Sequence, residues 1–400
     1  MSGESIIYFA KEWGQLPTSC DQVFRQLARQ NKILWINSVA TRKPNIASAK
    51  DLLKILKKLK RFLGGVQQVG PSSWVYQPLV VPLPHSEIAK KVNRRLLCWS
   101  ILRQARKLGM TSPQLWSFVP NVGYVVGHLS ESVAVYYCVD EWSEFSYVDR
   151  EKMLAEEADL LRKVDVCFAT ASSLVTSKAQ YNSNVFLASH GVDHEHFARA
   201  LNPEEEIPEE ILRIPAPRIV FWGQIHDWID LNLIAQVAAA RSDWSIVLIG
   251  DASIDLEPLR GYGNVYCLGK RPYESLPGYC KALQVAMIPF VMNELARHIN
   301  PIKLREYLSA GLPVVSTKLP EVMQYGHQVY LAGTPSEFID QIDRAIREDS
   351  EASRRKRSES MRQETWQAKV EEVGERVMQY KRAVQQKAFS SKIANPAATR

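Results

Sequence analysis

Short apolar runs alternate with helical patterns from one end of the chain to the other. In the first half the runs are SIIYFA (5–10), ILWIN (33–37), WVYQP (74–78), LWSFV (115–119), VAVYYC (133–138), VDVCFA (164–169) and NVFLA (184–188). In the second half they are RIVFW (218–222), WSIVLIG (244–250), NVYCL (264–268), VAMIPF (285–290), LPVVS (312–316) and QVYLA (328–332). Most are apolar at nearly every position. That is the pattern of strands covered on both faces, and helical spacers between them make the sheets parallel. The fold class is therefore α/β, with two successive doubly wound, Rossmann-like domains.

The break between the domains falls where the pattern fails. Residues 190–217 are acidic and carry four prolines, the composition of a linker. The expected division is a first domain over 1–195, a linker over 196–217 and a second domain over 218–362. A helix over 363–386 follows and is expected to pack back toward the first domain, with a frayed tail over 387–400.

Charge is unevenly spread. The chain has 400 residues and a formal net charge of +7. Between Thr41 and Met110, 15 lysines and arginines face two acids, Asp51 and Glu87. In DLLKILKKLKRFL, Leu52, Ile55, Leu56, Leu59, Phe62 and Leu63 follow a 3.6-residue period with lysines on the other face. A second basic helix, SEIAKKVNRRLLCWSILRQARKLG, covers 86–109. Apolar stripes of this kind either pack on the domain core beneath a solvated basic face or dock on an anionic bilayer. Two such helices favour the bilayer. No recognised nucleic-acid-binding module accompanies the charge, so nucleic acid is not expected as a partner.

Hydrophobic residues make up 46% of the chain and charged residues 23%, which excludes wholesale disorder. No apolar run reaches the length of a membrane span, and no secretory signal is visible at the start. The six cysteines form no C-x-x-C pair and read as reduced thiols of a cytosolic protein.

The richest segment for chemistry is NPIKLREYLSAGLPVVST (300–317). Asn300 and Pro301 are an N-cap followed by proline at the first helical position, and Gly311 ends the helix. Lys303 sits in the first turn and shares a face with Glu306. Arg297 and His298 add positive charge just upstream. Cations gathered at the positive end of a helix are unfavourable unless an anion binds there, and phosphate is the natural anion. Glu306, a turn deeper, can accept hydrogen bonds from a ribose diol. The plainer alternative is a solvated basic helix start, with Glu306 paired to Arg305 or Lys303.

The motif N-P-x-K-x-x-E-Y-L-x-A-G-x-P-V-V-S resembles the donor-site helix of GT-B glycosyltransferases, especially family 4-like enzymes of bacterial surface polysaccharide synthesis. The resemblance implies two Rossmann-like domains facing across a cleft. It also implies that Lys303 holds the nucleotide diphosphate and Glu306 the ribose, with Asn300, Pro301 and Ile302 forming the helix start. IVFWGQIHDWIDLNLI (219–234) resembles the opening of the donor domain and sets Gly223 by the diphosphate. NVYCLGKRPYESLPGY (264–279) resembles the strand whose following loop, Gly269, Lys270, Arg271 and Pro272, cradles the base through backbone groups. HGVDHEHF (190–197) and ETWQAKVEEV (364–373) match the hinge and the C-terminal helix. Two positions depart from the family pattern. His298 stands where many members have a glutamate, and Gln224 where an arginine often follows the first glycine; both remain donor-side candidates.

In the first domain, VAVYYCVDEWSEF places Asp140, Glu141 and Trp142 just past a strand's carboxyl end, where ligands of open α/β sheets bind. The resemblance sets this segment at the cleft. A carboxylate there can deprotonate an acceptor hydroxyl; alternatively, Asp140 caps the next helix or turn. Trp13 and Gly14 lie on the first cleft loop, as acceptor-side residues or as a plain connection with Trp13 on the core. His190, His194 and His196 coincide with the hinge and do not read as a metal site. No D-x-D occurs. GYGNVY (261–266) precedes a strand rather than following one, so it is a turn and not a dinucleotide fingerprint.

The expectation is a metal-independent glycosyltransferase, hexosyl in type. It takes a UDP- or GDP-sugar as co-substrate, with no other cofactor, and a saccharide or lipid-linked saccharide as acceptor. Its expected location is the inner face of the cell membrane, in extracellular polysaccharide synthesis. The rivals are a nucleotide-sugar epimerase of similar architecture and a non-catalytic, membrane-associated protein of the same fold.

Overall fold

The computed structural model of the chain describes residues 1–14, 18–37, 57–58, 60–81, 83, 86–146 and 148–394. They divide into two compact units, Met1–Ser189 with the chain from Val370 onward, and His190–Lys369.

The first unit holds eight strands: β1 (Ser5–Phe9), β2 (Lys32–Ile36), β3 (Val66–Gly70), β4 (Ser73–Tyr76), β5 (Gln114–Ser117), β6 (Val133–Cys138), β7 (Val166–Ala169) and β8 (Val185–Leu187). They form one sheet in the order β3-β4-β2-β1-β5-β6-β7-β8. Every neighbouring pair is parallel except β3 and β4. Side chains alternate between the sheet's two faces, and both are buried. Ile7, Phe9, Leu34, Ile36 and Leu115 join a core with Leu97 and Ile101 of the Glu87–Lys107 helix and Leu160 and Leu161 of the Arg150–Lys163 helix. On the other face Tyr8 is in register with Trp35 and Trp116. Rings continue across that face, with Tyr8 and Phe118 4.8 Å apart and Phe118 and Tyr137 4.9 Å apart. Each such buried side chain contributes roughly 2–3 kcal/mol.

The second unit holds β9 (Arg218–Trp222), β10 (Ser245–Ile249), β11 (Val265–Gly269), β12 (Val285–Ile288), β13 (Val314–Thr317) and β14 (Val329–Ala332). The order is β11-β10-β9-β12-β13-β14, all parallel. The strand order across this sheet switches sides between β9 and β12. The matching switch in the first sheet lies between β1 and β5. These are the switch points at which doubly wound folds open a crevice for ligands.

All thirteen apolar runs read from the sequence are strands. The fourteenth strand, β3, escaped because VQQVG is polar and only partly covered. It pairs antiparallel with β4 at the sheet edge, where one face suffices. Five of the six cysteines are buried free thiols, whereas Cys267, on edge strand β11, is exposed. The final helix, Trp366–Ala394, extends into the stretch read as a frayed tail. From Val370 it packs on the first unit, with Lys381 Nζ 2.6 Å from Glu4 Oε2 and Arg376 over the Phe186 ring. Of the amphipathic helix read over 52–63, residues 52–56 and 59 lie outside the described residues. Among those described, no helix is long and apolar enough to cross a membrane.

Candidate functional site

The second unit's switch point is built by close backbone packing. Gly223 follows β9 and Gly250 follows β10, both at φ +146°. The Gly223 amide donates to the Ile249 carbonyl, and the Gly250 amide to that of Gly269. A Cβ on Gly250 would stand 1.8 Å from the Gly223 carbonyl oxygen, so only glycine fits. A Cβ on Gly223 would press on the Lys303 side chain at 3.2 Å. The missing side chain at Gly223 is therefore what lets the lysine lie over the end of β9.

The helix bearing that lysine spans Ile302–Ser309. Its N-cap is Pro301, with no side-chain cap. This corrects the reading of Asn300 as the cap. The Asn300 side chain is taken instead by the buried Arg305, whose Nη1 donates to Oδ1 at 2.8 Å. An enclosed guanidinium needs acceptors, and Tyr325 supplies another through its hydroxyl at 3.0 Å. Gly311 ends the helix at φ +79°, as read.

Lys303 Nζ lies 2.8 Å from Glu306 Oε2. The indole N–H of Trp222 donates to the same oxygen at 2.8 Å, and the Trp222 amide donates to the Tyr307 hydroxyl. The Trp222 ring is gripped in turn by Phe197, stacked at 6.0 Å, and Tyr307, edge-on at 4.2 Å. Glu306 is thus buried, oriented by two donors on one oxygen, and beside the lysine at the switch point. Sequence reasoning missed Trp222. Its signal was its place as the last residue of the strand before Gly223.

The remaining donor-side candidates are arranged around this cluster. Gln224 donates to the Ser253 hydroxyl at 2.9 Å. His298 ends a short 3-10 turn, Leu295–His298, before the helix. In the loop after β11, Arg271 grips Glu210 with two bonds of 2.6 Å and contacts Tyr279. That guanidinium is committed, and it holds the Glu210 carboxyl down to about 2. What the loop from Gly269 through Lys270 to Pro272 still offers is backbone, together with the Lys270 ammonium. The three histidines meet different partners. His194 Nε2 contacts the Ser358 carbonyl, His196 Nε2 the Tyr273 carbonyl, and His190 is buried near Trp366. Burial, and then the charge of Arg305, hold His190 neutral, down to about 3.

In the first unit the neighbouring carboxylates past β6 divide sharply. Glu141 is buried and locked: Lys178 Nζ lies 2.6 Å from its Oε2, and the Ser143 hydroxyl donates to Oε1 at 2.9 Å. Lys178 also reaches Glu157 Oε2 at 2.7 Å, and the Tyr136 hydroxyl donates to Glu157 Oε1. Burial works against the Lys178 charge, but Cys138 and the two glutamates more than compensate and raise its pKa. Glu141, read beside Asp140 as a catalytic candidate, therefore belongs to a closed ion-pair network. Asp140 differs. Among the described residues its carboxyl makes no hydrogen bond or ion pair. Its surface stays partly accessible, yet the surrounding protein pushes its carboxyl up to about 7. It does not cap the following turn, whose cap is Glu141. Trp142 packs edge-on against Phe145 at 5.9 Å, and its buried indole N–H has no hydrogen-bond partner among the described residues.

Trp13 packs edge-on between Phe24 and Trp35, each 5.1 Å away, so the reading of a core-packed connection describes its ring. Gly14 follows it at φ +82° with open space around it. Elsewhere in this unit, a recess of about 680 Å³ is lined by Lys90, Arg94, Tyr124, His128 and Glu156 among others. It contains none of the donor-side or acceptor-side candidates, although Lys90 and Arg94 belong to the basic helix read as membrane-facing.

Residues 216–348 match the family described as "Glycosyl transferases group 1". The solved structures agree along nearly the whole chain. Sucrose-phosphate synthase from Thermosynechococcus elongatus aligns with a TM-score of 0.64 at 14% identity, over 97% of this chain and 100% of that one. The second unit is a group 1 glycosyltransferase domain, and the chain has the GT-B fold. Anabaena HepE, solved with UDP and glucose, gives a TM-score of 0.65 at 12% identity, over 94% of this chain and 99% of its own. A UDP-forming trehalose-phosphate synthase from Burkholderia xenovorans gives 0.64 at 10%, over 95% and 99%. In sequence, the Bacillus subtilis glycosyltransferase TuaH, named for teichuronic acid biosynthesis, is 21% identical over 255 residues. That match spans 58% of this chain and 63% of TuaH. The GT-B architecture that the motif at 300–317 implies is thus found, and the group 1 family match over residues 216–348 includes that motif.

Proposed function

We propose that the protein transfers a sugar, a hexose by our reading, from a nucleoside-diphosphate sugar to a saccharide or lipid-linked saccharide acceptor. The pathway we infer is cell-surface polysaccharide synthesis, as in the name of TuaH. One observation carries the reading: at the β9/β12 switch point, Lys303 lies over a bare glycine backbone beside an oriented, buried glutamate.

The chemistry follows from those groups. Lys303 and the uncapped helix start face a diphosphate, neutralising charge that grows as the sugar bond breaks. Lys303 and Trp222 both hold Glu306 Oε2, which leaves Oε1 to accept from a ribose diol. The Gly269–Pro272 backbone meets the base. Asp140, accessible, unpaired and raised toward neutral pH, is the base that takes the acceptor's proton, and the closed Glu141–Lys178–Glu157 network fixes the strand end that presents it. UDP is the favoured nucleotide, because HepE was solved with it. The acceptor is delivered at the inner membrane face, where the basic helices hold the protein.

Thermal melting against UDP, GDP, ADP and their sugars tests the reading. One nucleotide should raise the melting temperature by roughly 5 °C at a hundredfold excess over Kd. Lys303→Ala should abolish that rise without lowering the unliganded melting temperature by more than a few degrees. No rise with any of them, or a rise unchanged in the variant, would sink it.

A further inference from the structure

The Glu87–Lys107 helix has two apolar faces rather than one. Ala89, Leu97, Ile101 and Ala105 are buried against the sheet core. A second set points outward: Ile88 is 77% exposed, Val92 41%, Leu96 42% and Trp99 64%. Their spacing of four, four and three residues sets them on one stripe along the helix. Leu79 and Leu83, just before the helix, are exposed as well. Single exposed apolar side chains are ordinary, but an aligned stripe closed by a tryptophan is not.

The charges beside the stripe identify its partner. The helix carries one acid, Glu87, against seven lysines and arginines. Glu87 and Glu156 both engage Lys90. Lys91, Arg95 and Arg106 flank the stripe, and Arg103 lies over the Trp99 ring at 5.5 Å, holding a cation at the ring face. A protein partner for so basic a rim would need a matching acidic, apolar surface. A second copy would bring the same positive charge against itself. An anionic bilayer offers both an apolar interior and a negative surface, and tryptophan favours its boundary.

We propose that this helix lies in the plane of an anionic membrane with Ile88, Val92, Leu96 and Trp99 inserted beneath the headgroups and the basic rim on the lipid phosphates. This deepens the membrane-docking part of the proposed function: the basic face alone would give adsorption, whereas the stripe gives insertion. Adsorption dissolves in salt, and insertion persists.

Flotation of the full chain with vesicles of phosphatidylcholine containing about a third phosphatidylglycerol tests this. Because the assay contains no nucleotide, its failure leaves the donor assignment untouched. The wild-type protein should bind, and part of the binding should survive about 0.5 M salt. Ile88→Ser with Trp99→Ser should cut the salt-resistant binding roughly tenfold or more with an unchanged melting temperature. Lys91→Gln with Arg95→Gln and Arg106→Gln should remove mainly the salt-sensitive part. Leu212→Ser, at an exposed apolar site of the second unit, should change neither. Complete release of the wild type in salt would overturn insertion. So would stripe variants that bind like wild type, that lose stability while still binding, or that only turn a dimer into a monomer.

Discussion

Asp140 and Glu141 are adjacent in sequence and opposite in circumstance. Glu141 is enclosed by Lys178 and Ser143, so its charge is met and its oxygens are used. Asp140 has no such partner, and burial lifts its carboxyl from 3.8 to about 7. Folding therefore favours its protonated form. The stability this group contributes is full below the ordinary carboxylate range and is lost as pH rises through 7, by at most about 4 kcal/mol. Asp140→Asn should accordingly gain stability relative to wild type at pH 8 and not at pH 4, as denaturant titrations at both values would read. As the base, Asp140 also predicts a turnover that rises through pH 7. In the variant, activity should fall on the order of a hundredfold or more. An equal stability difference at both pH values, or full activity in the variant, would remove Asp140 from the mechanism. Nothing local in SSLVTSKAQY marks Lys178 as buried. Its carboxylate partners lie 37 and 21 residues away, so this network was not legible in the sequence.

At the scale of elements, the Ile302–Ser309 helix was legible because Pro301, Lys303, Glu306 and Gly311 each obey a local rule. Its cap was misread because Asn300 has a stronger claim on it, the buried Arg305, which only the tertiary structure brings near. Trp222 was overlooked for a related reason: in a strand read as wholly apolar, its indole N–H drew no notice. The glycines make a stricter prediction. A methyl at Gly250 meets the Gly223 carbonyl, and the backbone there is already in a region that L-residues avoid. Gly250→Ala should cost about 2–4 kcal/mol, from clash and strain together, and should weaken nucleotide binding by shifting Gly223. Gly263→Ala, where a Cβ meets nothing within 4 Å, is the comparison that should change little. Equal stability for the two variants would show that the close packing at Gly223 is not required.

At the scale of the molecule, each of the two sheets has a switch point in its strand order, between β1 and β5 and between β9 and β12. The candidate donor groups gather at the second switch point. The carboxylate read as the base lies at the carboxyl end of β6, in the first sheet. Apolar continuity made both sheets legible, since strands buried on both faces need no alternation to declare themselves. The helix Glu87–Lys107 was read as basic and membrane-facing, but which of its apolar residues face outward was not legible, for the converse reason. With apolar residues on two faces and cations between them, the helix has no single apolar side for periodicity to detect.

In the proposed function Lys303 reads a diphosphate. Calorimetric titration of uridine, UMP and UDP into the wild-type protein and Lys303→Ala tests it most directly. UDP should bind wild type at least about tenfold more tightly than uridine, and this gap should collapse in the variant while uridine affinity is kept. A gap of the same size in both proteins would contradict it.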